Sequence, residues 1–308
     1  GFDGLEVSKI GRDAGPIYIS DVNNDGLNDL IAINNRASRI DLLTQKEDAS
    51  PSSEPVTPKH ANELPEHWRF NREQISVMHK VMAIAIHDFD NDGLSDLIYA
   101  GSPDEIVFLK QTSPGNFETT RRHRVKNLTA NRSGFTVANL IGDSAPELVS
   151  LVEGDIWIWP MDGDQLGQET VLSSGESIAA FKLSDFTGDG QTDVAGIIPE
   201  SSAPVRLWLG STEQGIKTIG SQIPFEMPAL REFISVTLPD DPASLMAVIE
   251  KASKRIVLYK VSKEAVSETG DREASLRVQS FTDPSNRGRQ QTVIDTDGDG
   301  LLDLVATD

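Results

Sequence analysis

Hydrophobic and polar positions alternate in short bursts along this chain. Apolar-rich runs of roughly four to eight residues are bounded by Gly, Pro, Asn, Asp or Ser, which is the signature of β-strands. No convincing amphipathic helix of ten residues or more emerges. The longest apolar stretch, "VMAIAI" (81–86), is strand-sized, and no run approaches the length needed to span a bilayer as a helix.

The bursts recur in a fixed order. A first strand (A) is read in "PIYIS", "VMAIAI", "GFTVA", "SIAAFKL", "EFISV" and "QTVI". A second (B) follows in "DLIAI", "DLIYA", "ELVSL", "DVAGII", "LMAVI" and "DLVAT". A third (C) comes after a polar turn, in "RIDLLTQ", "EIVFLKQ", "DIWIWPM", "VRLWLG" and "RIVLYKV". A more polar fourth (D) closes the unit in "WRFNREQI", "NFETTRRHRV", "QETVLS", "GIKTIG" and "SLRVQSF".

Between A and B lies an acidic phrase, clear at Asp21, Asp88, Asp185 and Asp295 and weaker at Asn139 and Thr237. These starts are separated by 67, 51, 46, 52 and 58 residues, a period of propellers and solenoids. Four strands per unit, apolar first and polar last, suit a propeller blade, with inner strands buried on both faces and the outer one in solvent. A solenoid is the runner-up, although its repeats are usually shorter.

The expected fold is therefore all-β: one propeller domain over residues 1–308, with six or seven four-stranded blades. A Pro/Ser/Glu-rich insertion at about 46–66 separates strands C and D of the first unit and explains the long first spacing. "FDGLEVSKIG" reads as an outer strand of a preceding blade, and the sixth unit stops after its B strand. Residues beyond Asp308 are thus expected to supply at least the missing C strand, or a seventh blade.

Composition narrows the function. The net charge of −20 disfavours nucleic acid and anionic membrane surfaces as partners. Cysteine is absent, which excludes disulfides, a thiol nucleophile and cysteine-based metal sites.

Much of the acidity sits in the A–B phrases. "DVNNDGLNDL", "DFDNDGLSDL", "DFTGDGQTDV" and "DTDGDGLLDL" place oxygen side chains at positions 1, 3, 5 and 9 and glycine at position 6. Position 7 offers a backbone carbonyl. Oxygen-only donors with several carboxylates on a flexible loop favour a hard cation, calcium over magnesium; zinc would want His or Cys. An EF-hand is excluded, because position 12 is Ala32, Tyr99, Gly196 or Ala306 and the flanks are strands. Asp, Asn and Gly also dominate metal-free turns. Four copies at the same strand boundary argue against that blander origin.

These phrases resemble the FG-GAP/VCBS repeats, the calcium-loop propeller repeats also found in integrin α-subunits. The resemblance covers essentially the whole chain. It implies about four calcium ions. The first would use Asp21, Asn23, Asp25, the Leu27 carbonyl and Asp29; the second Asp88, Asp90, Asp92, the Leu94 carbonyl and Asp96. The third would use Asp185, Thr187, Asp189, the Gln191 carbonyl and Asp193, with a hydroxyl replacing the usual Asp or Asn. The fourth would use Asp295, Asp297, Asp299, the Leu301 carbonyl and Asp303. The loops at Asn139 and Thr237 lack most of these donors and are expected to fold without metal. The four good loops hold fourteen carboxylates, and four calcium ions would move the net charge from −20 to −12.

The resemblance further implies an extracellular, periplasmic or cell-surface protein that binds or adheres through the face opposite the calcium loops. Loops assigned to that face carry Arg36, Arg132, Arg287 and Arg289, a basic set that suits an acidic protein segment or an anionic glycan. No membrane insertion is expected.

No catalytic motif stands out. His60, His67, His79, His87 and His123 show no metal-ligand spacing, and Trp157, Trp159 and Trp208 on C strands suit packing between blades. The chain is expected not to be an enzyme. The rival is a carbohydrate-active propeller enzyme, a glycosidase or polysaccharide lyase, whose active site would be assembled at the central channel from distant loops.

Overall fold

A computed structural model describes residues 10–49, 67–142, 145–238, 241–254, 256–261, 273–278, 291–294 and 303–306. Nearly all regular structure is β. Among the described residues the sole helix is a single 3-10 turn, Asn35–Ala37.

Five antiparallel sheets follow one another along the chain. The first is β1 (Ile17–Ser20), β2 (Asp29–Asn34), β3 (Arg39–Gln45) and β4 (Phe70–Ser76), paired in that order. The second is β5 (Lys80–His87), β6 (Asp96–Ser102), β7 (Glu105–Ser113) and β8 (Asn116–Arg124). The third is β9 (Phe135–Ala138), β10 (Glu147–Val152) and β11 (Asp155–Asp162), with both β12 (Gln165–Leu166) and β13 (Thr170–Leu172) on the outer side of β11. The fourth is β14 (Ala180–Ser184), β15 (Asp193–Ile197), β16 (Val205–Glu213) and β17 (Ile216–Phe225). The fifth is β18 (Leu230–Val236), β19 (Leu245–Glu250), β20 (Ile256–Lys260) and β21 (Glu273–Val278). A two-stranded hairpin, β22 (Gln291–Ile294) with β23 (Asp303–Ala306), comes next.

The architecture is a β-propeller of four-stranded blades, but the expected six or seven blades are corrected to five. The sixth unit forms only its A–B hairpin: β23 pairs with β22, and no described strand lies on its other side. A blade needs C and D strands to satisfy the outer backbone groups of B, and the described residues offer none there. The expected outer strand at residues 2–11 falls almost wholly outside the described residues. The third blade also departs from the simple scheme. Its outer edge is split, Met161–Asp162 pairing with Gln165–Leu166 and Ile156–Ile158 with Thr170–Leu172.

Burial explains the order of hydrophobicity along each unit. Strand β10 is buried at every residue, and so is β15, whereas the outer β8 is exposed at most positions. Neighbouring blades share their cores. Ile31 and Ile33 of β2 pack with Val81, Tyr99 and Val107 of the second blade. Phe108 and Phe135 join the second blade to the third, Ile158 and Trp208 the third to the fourth, and Phe186 and Phe233 the fourth to the fifth. Each such buried side chain contributes about 1.5–3 kcal/mol, so blade-to-blade contact is the main source of cohesion. Trp159 and Trp208 are buried in these seams and Trp157 packs against one, in keeping with a packing role.

Polar ties reinforce the seams. Asn35 exchanges two hydrogen bonds with the backbone of Val81, at 2.9 and 2.8 Å. Gln111 donates from Nε2 to the Val22 carbonyl at 2.9 Å. The A–B loops touch each other on one face: Asn24 donates to the Gly93 carbonyl, and the Ser244 N–H donates to the Asp185 carbonyl at 2.7 Å. Gly188 is required at that second contact. Its φ is +73°, and a Cβ there would meet the backbone nitrogen of Ala243 at 3.1 Å.

Candidate metal centre in the A–B loops

Three of the four acidic phrases lie within the described residues, and they are built alike. The position-1 carboxylate accepts N–H bonds from positions 5 and 6. For Asp21 these come from Asp25 (3.1 Å) and Gly26 (2.9 Å), and for Asp88 from Asp92 (3.2 Å) and Gly93 (2.9 Å). Asp185 takes the same pair from Asp189 (3.1 Å) and Gly190 (2.7 Å). The position-5 carboxylate accepts from the N–H of position 7: Asp25 from Leu27, Asp92 from Leu94, Asp189 from Gln191. Gly26, Gly93 and Gly190 all have φ between +81° and +91°, so position 6 needs glycine for the turn to close.

Position 9 has a different job from the one its place in the motif suggests. Asp29, Asp96 and Asp193 are fully buried. One oxygen of each accepts the N–H of position 2: Val22 at 3.0 Å, Phe89 at 3.1 Å, Phe186 at 2.9 Å. The other accepts an N–H from the C strand: Gln45 at 2.8 Å, Gln111 at 2.7 Å, Gly210 at 2.9 Å. This carboxylate therefore clamps the A–B turn to strand C. In Asp29 and Asp96 each oxygen keeps a second lone pair for a ligand, whereas the Asp193 oxygen on Phe186 also accepts the Thr187 N–H at 3.2 Å.

The second loop brings its donors closest. Ligand oxygens of Asp88, Asp90 and Asp96 lie within 4.8 Å of one another, the one such gathering of acidic or His side chains among the described residues. Burial raises Asp96 to about 6, its hydrogen bonds to Gln111 and Phe89 oppose this, and Asp90 and Asp92 add to the rise. Asp193 is raised to about 6 for the same reasons, burial first, with Asp189 and Asp185 adding to it. Burial likewise raises Asp29, with smaller contributions from Asp25 and Asp21. In all three clamps burial disfavours the charged carboxylate and the loop acids add a smaller push in the same direction, penalties that a nearby positive charge would offset.

In the second loop a lysine supplies that charge. Lys110, on β7, contacts the Asp90 carboxylate and reaches Asp92 at 2.9 Å. The pairing pulls Asp92 below the usual carboxylate range and raises Lys110. In the first loop, Asn23 donates to Asp25 at 2.9 Å instead.

A hard cation fits the donor set of the second loop: three converging carboxylates, a fourth at Asp92, and oxygen donors only. The ion would have to displace the Lys110 ammonium from Asp90 and Asp92. Asp295, Asp297, Asp299 and Leu301 of the fourth phrase lie outside the described residues, as does the side chain of Asp303.

The two weak phrases keep parts of the plan. In the third blade Glu147 stands at position 9 and accepts the Leu140 N–H at 2.6 Å, preserving the clamp without an acid at position 1. In the fifth blade position 9 is the buried Leu245, and the hydroxyls of Thr237 and Ser244 pair instead, at 3.0 Å. Asp241, at position 5, still accepts the N–H of Ala243 at position 7, and Lys260 reaches it at 2.6 Å. The register places Lys260 where Lys110 stands in the second blade, one residue past the partner of the first residue after position 9.

Sequence reasoning missed two features. The first is the pair of lysines, whose signal was the shared C-strand pattern "EIVFLK" and "RIVLYK". The second is position 4, left-handed in all three loops: Asn24 φ +58°, Asn91 φ +60°, Gly188 φ +73°. Asn and Gly are the residues that tolerate that conformation, and their recurrence there was visible.

The four arginines assigned to the opposite face do not form one described cluster. Arg36 pairs with Asp13 at 3.2 Å, whereas Arg132 lies over the Tyr18 ring at 5.8 Å. Arg287 and Arg289 lie outside the described residues. Of the histidines, His79 pairs with Glu105 at 3.2 Å and His123 contacts the Asp164 carbonyl at 2.8 Å.

No family model matches the chain, and no curated protein matches it. Among solved structures, a Bacteroides uniformis protein assigned as a 6-phosphogluconolactonase is similar at 12% identity and a TM-score of 0.49, covering 84% of this chain and 68% of that one. BBS1N, crystallised with ARL6DN, is similar at 10% identity and a TM-score of 0.43, covering 79% of this chain and 76% of that one. At these scores neither likeness bears on function; the propeller assignment rests on the strand order of the chain itself.

Proposed function

We propose that this chain is a calcium-stabilised β-propeller that acts as an extracytoplasmic binding or adhesion module. The observation that carries the reading is the convergence of Asp88, Asp90 and Asp96 in a loop whose hydrogen-bond plan is built three times over. Calcium, when bound, would neutralise the clustered carboxylates and cross-link each A–B turn to its own blade. In the second blade Asp88, Asp90, Asp92 and Asp96 would hold it. The first loop would use Asp21, Asn23, Asp25 and Asp29, and the third Asp185, Thr187, Asp189 and Asp193. The FG-GAP/VCBS resemblance supports the same assignment and extends it to Asp295–Asp303. With the A–B loops committed to metal, the opposite face is left for an acidic protein segment or anionic glycan, approached through Arg36, Arg132, Arg287 and Arg289.

The rival reading places a carbohydrate-active enzyme at the central channel. A glycosidase there would need a pair of carboxylates, and none of the described residues lining the central cavity is Asp or Glu. Calorimetric titration of metal-stripped protein with calcium tests the main reading. Saturable binding that loses about one site in Asp88→Ala and in Asp92→Ala supports it, and an absence of binding up to the millimolar range of extracellular calcium modules overturns it.

A further inference from the structure

We propose that the central cavity of the propeller binds a compact organic anion carrying a carboxylate or a phosphate group. The cavity measures about 400 Å³ and lies among the first strands of four blades, β1, β5, β9 and β14, and the loop before β9. That volume falls within the range of small-molecule sites.

Three donors meet there. Tyr18 comes from β1, Arg132 from the loop before β9, and Lys182 from β14. The Tyr18 hydroxyl accepts the Ile84 N–H at 3.1 Å, which leaves its own hydrogen to donate. The Arg132 guanidinium lies over the Tyr18 ring, 5.8 Å from its centroid, and both residues line the cavity. Lys182 forms no ion pair with any described carboxylate.

The charge pattern runs against the rest of the molecule. The chain has 48 acidic residues to 28 basic ones, yet among the described residues the cavity wall carries two cations and no acid. An ammonium sheltered from water without an ion-pair partner costs stability that an apolar side chain would avoid. Burial lowers the Lys182 pKa, the charge of Glu232 on β18 opposes this, and the like charge of Arg132 adds to the lowering. A bound anion would relieve both penalties at once. Guanidinium and ammonium groups hydrogen-bond strongly to carboxylate and phosphate oxygens.

The test is calorimetric titration of the whole chain in calcium-free buffer, so its outcome is independent of the calcium loops. The probes are succinate, methyl phosphate and the neutral isostere succinamide. At least one anion is expected to bind with Kd at or below about 1 mM, and succinamide is not. The tighter of the two anions identifies the headgroup class. Arg132 is exposed, so Arg132→Gln should fold normally and weaken anion binding by about tenfold or more. Lys182→Met should weaken it similarly while holding or raising the melting temperature, a combination that a structural lysine would not give. Equal binding by wild type and both variants, equal binding of succinamide, or no binding of either anion would overturn the proposal.

Discussion

The A–B loops of the second and fifth blades solve one problem with different chemistry. Both must turn sharply between buried strands, and both have a lysine reaching in from the same place on strand C. The second loop carries four carboxylates, Asp88, Asp90, Asp92 and Asp96, of which Lys110 meets two. In the fifth, Lys260 reaches Asp241, the acid at position 5, and Leu245 fills the clamp position. The blade closes in both cases. Excess negative charge is what turns a blade hairpin into a candidate cation site.

The largest effect expected from this contrast is that of calcium itself. At about 100 times its dissociation constant, each occupied loop gains roughly 2.7 kcal/mol. Differential scanning calorimetry should show a higher melting temperature in millimolar calcium than in EGTA. Asp92→Ala should reduce that rise and Asp241→Ala should leave it unchanged. A melting curve indifferent to calcium would erase the distinction between the two loops.

Next in size is the clamp. Asp96→Ala leaves the N–H groups of Phe89 and Gln111 buried and unpaired, at a cost of about 2–4 kcal/mol even in calcium-free buffer. Asp92→Ala should alter calcium-free stability little, since its loop is open to solvent. Urea unfolding of the two variants checks this. Similar midpoints would mean that position 9 acts only as a metal ligand.

A smaller effect concerns pH. Asp96 and Asp193 sit at about 6 in the folded protein, above their ordinary value of 3.8, chiefly because they are buried. The native state therefore holds protons that the unfolded state releases between those values. Without calcium, the stability these groups contribute is fully present below about pH 4 and is lost as the pH rises through about 6. The groups lowered by ion pairing, Asp92, Asp164 and Asp241, pull the other way at lower pH. Urea midpoints at pH 5 and pH 7 should show the loss, and the Asp96→Asn, Asp193→Asn double variant should flatten it. The same slope in the double variant would place the titrating groups elsewhere.

The finest comparison exchanges the two lysines. Lys110→Met should lower the calcium concentration that half-saturates the second loop, because no ammonium then competes for Asp90 and Asp92. Lys260→Met should leave calcium binding unchanged. Equal calcium isotherms for wild type and Lys110→Met would show that the lysine and the ion do not share a place.

Much of this was legible in residue order because blades are local structures. The A, B, C and D runs pair with their sequence neighbours, so "DLIYA" and "EIVFLKQ" predict a hairpin without reference to the rest of the chain. The positions of Asp21, Asp88 and Asp185 likewise mark the same turn each time. The blade count was not legible, because a sixth A–B hairpin says nothing about strands to pair beside it. The split outer edge of the third blade was also hidden, since "QETVLS" looks like any polar strand.

The candidate sites divide along the same line. Spacing alone placed oxygen donors at positions 1, 3, 5 and 9, because a turn of nine residues brings its own side chains together whatever surrounds it. Only the tertiary structure decided that position 9 is a buried clamp, because its second partner lies 15 to 17 residues away on strand C. Only the tertiary structure set Tyr18, Arg132 and Lys182 around one cavity. They stand on three different blades, and nothing but the curvature of packed blades brings such distant segments within reach of a single small molecule.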